Sequence, residues 1–103
     1  MPLRTIVHII QRMKIEFDPD KAAANPLKHD GVSFEEASPV LLDPYALTLE
    51  DRDADGEQRW VTLGMGGKGR ILVVVWTLRD DSVRLISAWK ASQPQRRRYE
   101  QQF

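Results

Sequence analysis

Ile71-Leu72-Val73-Val74-Val75-Trp76 is the longest uninterrupted apolar run in the chain. Six apolar residues in a row, four of them β-branched, describe a strand covered on both faces, where no position has water to meet. Its surroundings place it at the centre of a sheet. Upstream, Glu57 to Leu63 alternates through Trp60 and Thr62, and the glycine-rich Gly64-Met65-Gly66-Gly67-Lys68-Gly69-Arg70 turns the chain back. Downstream, Asp80-Asp81 turns it into Ser82 to Lys90, where period-2 alternation groups Val83, Leu85, Ser87 and Trp89 on one face and Arg84, Ile86, Ala88 and Lys90 on the other. These three segments form an antiparallel meander. Pro44 to Leu49 reads as an edge strand and Lys14 to Phe17 as a further short one.

Helices flank the meander. Asp18-Pro19-Asp20 supplies an N-cap with proline at the first helical position, followed by Lys21-Ala22-Ala23-Ala24. Pro26 removes an amide bond in the second turn, so this helix is expected to end or kink before Lys28. Ser33 and Glu36 have capping-box spacing, with Val32 and Ala37 placed to staple the entry, and Pro39 keeps that helix short. Ser92-Gln93-Pro94-Gln95 is a second capping box, opening a terminal helix through Tyr99. The expected class is α+β, a small antiparallel sheet with helices packed on one side.

At 103 residues, 42% hydrophobic and 29% charged, the chain has the makeup of one globular domain rather than of a disordered segment. A core of this size leaves little room for a large buried active-site cavity. Cysteine is absent, which excludes disulfides, thiolate metal sites and cysteine nucleophiles. With only His8 and His29 besides, neither a metal nor any other cofactor is expected. No apolar run approaches the roughly 18 residues that cross a bilayer, and a cytoplasmic address follows as the expectation. The net charge is zero but unevenly spread. Residues 1–55 hold 6 Lys and Arg against 11 Asp and Glu, and residues 56–103 hold 9 against 4. The back half is basic enough to attract phosphates, unless the two halves neutralise each other across a packed interface.

Few residues invite chemistry. The glycine turn has the glycine separation of a phosphate-binding loop, but Arg70 and Ile71 stand where that motif needs Lys and Ser or Thr, and a strand follows instead of a helix. His29 is either a proton shuttle or a helix-terminal residue meeting the last carbonyls. Lys21 sits on an alanine-rich helix as a charge without an evident partner. Arg59, Arg70, Arg79 and Arg84 fall on or beside three successive strands. Antiparallel pairing can bring several onto one face as a phosphate clamp, or they can pair with Glu57, Asp80 and Asp81. Arg96-Arg97-Arg98 is mostly a solvated face, with Tyr99 able to stack on a nucleotide. Glu35 and Glu36 are explained by their capping box.

Several stretches together resemble the BrnT toxin family. They are Glu16-Phe17-Asp18-Pro19-Asp20-Lys21-Ala22, Asn25, Lys28-His29, Gly31-Val32-Ser33-Phe34-Glu35-Glu36-Ala37, Asp43-Pro44, Gly56-Glu57, Arg59, Gly69 to Val75 and Ile86-Ser87-Ala88. The resemblance runs from Lys14 to about Glu100. It makes residues 13–103 one toxin domain and residues 1–12 an extension or an alternative start, so that a chain beginning at Met13 is expected to fold. It implies a fold similar to the RelE/ParE toxins and a metal-independent endoribonuclease that inhibits translation. It also implies a BrnA-like ribbon-helix-helix antitoxin as partner, RNA as substrate, operator DNA reached only through the antitoxin, and no membrane. Under this resemblance Lys21, His29, Arg79, Arg84 and Tyr99 are the catalytic candidates, and Arg59 and Arg70 the RNA phosphate-binding ones. The sequence departs from the family pattern at Pro26, Pro39 and Asp30, and Trp89 stands where the family usually has arginine. An indole offers one donor and no charge, so the alternative is a degenerate homologue that only binds antitoxin and takes part in repression.

Overall fold

The computed structural model describes residues 13–51 and 56–103; the expected extension, residues 1–12, lies outside them. The elements are β1 (Lys14–Phe17), α1 (Pro19–Lys28), α2 (Phe34–Ala37), a 3-10 helix (Ser38–Leu42), β2 (Leu47–Asp51), β3 (Arg59–Met65), β4 (Ile71–Arg79), β5 (Ser82–Lys90) and α3 (Gln93–Glu100). The class is α+β, as the sequence implies. The five strands form one sheet in the order β1-β5-β4-β3-β2, with the apolar run at its centre.

Two features depart from the expected architecture. The sheet is mixed, because β1 pairs parallel to β5 while every other pair is antiparallel. The helices also do not share one side. Leu72, Val74 and Trp76 of β4 pack with Val32, Phe34, Ala37, Val40 and Leu41 from the α2 and 3-10 region. The alternate β4 residues Ile71 and Val73 pack with Ala91 and with Tyr99 of α3. A strand apolar at every position requires cover on both faces, and this is how it is supplied.

A β-bulge resets β5. Val75 pairs with Ser87 but Trp76 pairs with Leu85, which leaves Ile86 as an extra residue. Strict alternation would carry Val83, Leu85, Ser87 and Trp89 along one face. The bulge instead sends Val83, Leu85 and Ala88 to the α2 side and turns Arg84, Ser87 and Trp89 to the other.

Proline does not end α1. The helix runs through Pro26 to Lys28, losing only the one amide bond that Pro26 cannot donate. Asn25 holds it in place. Its side-chain amide donates to the carbonyls of Val32 and Ala88, each at 2.8 Å, and its side-chain oxygen accepts from the Ala88 amide at 3.2 Å. β1 is only four residues long and stops at Phe17, opposite Leu85, so Asn25 pairs with the β5 edge beyond it as a strand residue would.

Candidate functional site

Three of the four strand arginines meet on one sheet face. Arg59 of β3 and Arg84 of β5 both stand opposite Thr77 of the strand between them. Adjacent strands lie about 4.8 Å apart, so the two arginine backbones are about 10 Å from each other across Thr77. Arg79, two residues further along β4, is exposed on the same face at the sheet's end. α3 covers the other end of this face and leaves the arginines open.

Their ion pairs are long. Arg59 meets Glu57, and Arg84 meets Glu16, each at 3.9 Å, with the arginine side chains 37% and 31% exposed. Pairs of this length and exposure contribute little. Asp51 stands opposite Arg59 in the β2–β3 register and adds negative charge beside it. The Nε atoms of Arg59 and Arg84 are buried without a hydrogen-bond partner among the described residues. Under-satisfied guanidinium donors on an open face suit an incoming oxyanion.

Lys21 and His29 line a groove of about 350 Å³ between α1 and β5, together with Asp20, Asn25, Lys28 and Ser87. His29 closes the helix as its C-cap, and Asp30 and Gly31 behind it take positive φ values of 54° and 71°. Asp is among the residues that tolerate this left-handed conformation, so Asp30 extends the turn that delivers His29. Ser87 connects the groove to the arginines. It shares the face of Arg84 and lies two β4 positions from it, about 7 Å along the strand.

The remaining candidates lie elsewhere. Arg70 follows the glycine turn and directly precedes β4, seven residues before Thr77 and so about 23 Å from the other arginines. Its guanidinium donates to both carboxylate oxygens of Glu36, at 2.6 and 2.7 Å. The Glu36 side chain is fully buried. Hydrogen bonds from Arg70 hold the Glu36 carboxyl below its usual range, against the opposing effect of burial, and the Arg70 pKa is raised by the same bonds. Glu36 therefore does not complete its capping box. Ser33 Oγ accepts from the Glu36 amide at 3.0 Å, but the Glu36 side chain is turned to Arg70. The glycine turn is likewise occupied internally: Gly66 donates to Arg70 O at 2.8 Å, Gly67 to Glu36 O at 2.9 Å and Gly69 to Gly66 O at 3.1 Å. A Cβ on Gly66 would lie 2.6 Å from Leu72 Cδ1 and 2.9 Å from Glu36 O, so close approach explains that glycine.

Tyr99 is only 4% exposed and donates its hydroxyl to Asp43 Oδ2 at 2.6 Å. Burial, then this bond, raises the phenol pKa above its ordinary value. Asp43 also accepts from the amides of Tyr45 and Met65, each at 2.9 Å, and so ties α3 to the chain between the 3-10 helix and β2 and to the end of β3. Sequence reasoning assigned no role to Asn25 or Asp43, and gave Glu36 only its capping box. A lone asparagine among helix-forming alanines was the available signal for the first.

A family model described as the ribonuclease toxin BrnT of a type II toxin–antitoxin system matches residues 17–94. The chain belongs to the BrnT family. No curated protein matches it. The crystal structure of the Brucella abortus ribonuclease toxin BrnT is similar at a TM-score of 0.60 and 26% identity, covering 79% of this chain and 99% of that one. The BrnT match spans Lys21, His29, the four strand arginines and Trp89, while Tyr99 falls beyond it. Among the described residues no helix is long and apolar enough to cross a membrane, and no group of three or more His, Asp or Glu side chains is placed to hold a metal.

Proposed function

We propose that this BrnT-family chain is a metal-independent endoribonuclease toxin that stops translation by cutting RNA. Arg59 and Arg84 grip the scissile phosphate across Thr77, and Arg79 guides the backbone at the rim. The 2′-hydroxyl attacks the adjacent phosphorus and the bond to the 5′-oxygen breaks, giving a 2′,3′-cyclic phosphate and a free 5′-hydroxyl. The arginines stabilise the doubly negative phosphorane between these states. His29 and Lys21 share the proton work: one accepts the proton of the 2′-hydroxyl and the other supplies one to the leaving oxygen. The partner in this reading is a BrnA-like ribbon-helix-helix antitoxin, which also carries the complex to operator DNA.

The observation that carries the reading is the pairing of Arg59 and Arg84 across Thr77 on the open sheet face, with the Lys21–His29 groove reached along the same strand. The test is cleavage of a fluorescent RNA by the purified chain with EDTA present. Cleavage that is lost in Arg84→Ala and in His29→Ala supports the assignment. An inert wild-type chain that still binds its antitoxin would establish the degenerate-homologue reading that Trp89 raises.

A further inference from the structure

Trp89 has no place in the phosphate chemistry, yet it stands on the same sheet face. It is opposite Val73, Ser87 is opposite Val75, and Arg84 is opposite Thr77. The bulge at Ile86 creates this alignment. Arg84, Ser87 and Trp89 thus form a row about 13 Å long, with a small hydroxyl in the middle. The indole is half-buried and packs against the apolar cluster of Leu63, Ile71, Val73, Ala91 and Tyr99. Its ring centroid lies 5.7 Å from that of His29, with the planes tilted by 46°. The other two tryptophans do not reach this face: Trp60 and Trp76 pair with each other across β3 and β4, 5.9 Å apart, on the α2 side.

We propose that Trp89, backed by His29, is a base-stacking platform one nucleotide away from the arginine clamp, giving the chain a preference for a purine there. This rests on the RNA-cleaving function proposed above. A half-buried indole is already partly desolvated and held by its packing, so a base stacking on its exposed part loses little further freedom. Stacking on an aromatic ring accepts any base but gains with ring area, which favours adenine over uracil. Lys21 and Lys28, offset only by Asp20 in the groove lining, draw the flanking backbone towards the pair. Ser87, between clamp and platform, is placed for the ribose.

Non-cleavable 2′-O-methyl oligonucleotides of adenosine, of uridine and of a baseless sugar-phosphate chain, each end-labelled, test the idea by fluorescence anisotropy with the full chain. Wild-type protein should bind the adenosine strand tightest. Trp89→Ala should weaken that strand about tenfold or more, the uridine strand less, and the baseless strand not at all. Trp89→Phe should restore most of the loss, whereas Arg84→Ala should weaken all three alike. Trp89→Leu keeps apolar packing without a stacking plane, and serves if Trp89→Ala unfolds the domain. An unchanged adenosine affinity in these variants would overturn the proposal, as would an equal loss for the baseless strand or a loss of antitoxin binding alone. The two readings fail separately. A chain that cuts RNA with unaltered base preference after Trp89→Ala keeps its catalytic site and loses the platform; one that never cuts yet binds adenosine through Trp89 keeps the platform and loses the catalysis.

Discussion

Removing Arg70 should leave a buried carboxylate without its partner, and the loss should follow pH. Glu36 is fully buried on its side chain, and both its oxygens bond to the Arg70 guanidinium. Taking away one member of a buried pair costs about 3 to 5 kcal/mol. Arg70 itself is 34% exposed, so solvent screening places Arg70→Ala at the lower end, about 3 kcal/mol. For a domain of this size that lowers Tm by about 12 to 24 °C. The pKa of Glu36 is depressed in the folded chain, so the pair's contribution is complete above the ordinary carboxylate value of 4.5 and is lost as pH falls through the depressed one. Urea denaturation of wild type and Arg70→Ala at pH 7 and at pH 3 should therefore show a large gap that narrows in acid. The double change Glu36→Leu with Arg70→Met should recover most of the gap, because neither charge then needs a partner. A loss below about 1 kcal/mol at pH 7, or an equal loss at both pH values, would refute the structural role given to Arg70 and return it to the phosphate-binding candidates.

Arg59→Ala and Arg84→Ala should each lower RNA cleavage more than tenfold while moving stability by no more than about 0.5 kcal/mol, since their ion pairs are long; parallel cleavage and denaturation assays check both. Asn25→Ala should destabilise the domain by about 3 kcal/mol in urea denaturation, because three backbone groups of Val32 and Ala88 lose a buried partner. Tyr99→Phe removes one hydrogen bond to a carboxylate and should lower stability by about 2 kcal/mol, with cleavage per folded molecule unchanged. Reduced cleavage in a folded Tyr99→Phe chain would bring the phenol back into the chemistry.

The features legible in the sequence are those set by a local rule. The run from Ile71 to Trp76 announced a doubly covered central strand, Ser92 and Gln95 form the expected reciprocal cap, and β5 begins and ends at Ser82 and Lys90. What stayed hidden depends on pairing between distant segments. The parallel seat of β1 beside β5, the bulge at Ile86 and the hold of Asn25 on Ala88 leave no periodic trace, because each is a relation between two stretches rather than a property of one.

The arginines show how that difference reaches function. Arg59, Arg70, Arg79 and Arg84 look alike in sequence, each at or near a strand end, and either surface pairing or a shared clamp would have produced that pattern. The fold separates them by the burial of their acidic neighbours. Arg70 meets a carboxylate that water cannot reach, so its charge is needed to keep Glu36 in the core and is poorly placed to leave it for a substrate. Arg59 and Arg84 meet Glu57 and Glu16 at the limit of contact, where water screens both sides and an arriving phosphate competes on favourable terms. The register then sets these two on either side of Thr77, and the bulge brings Ser87 and Trp89 round to join them. Pairing Ile86 in register, opposite Val75, would turn Ser87 and Trp89 to the α2 side while sparing each side chain in the row, whereas deleting Ile86 would keep the row by letting Leu85 and Ser87 alternate as neighbours; the row is thus a property of the strand's pairing and not of its composition.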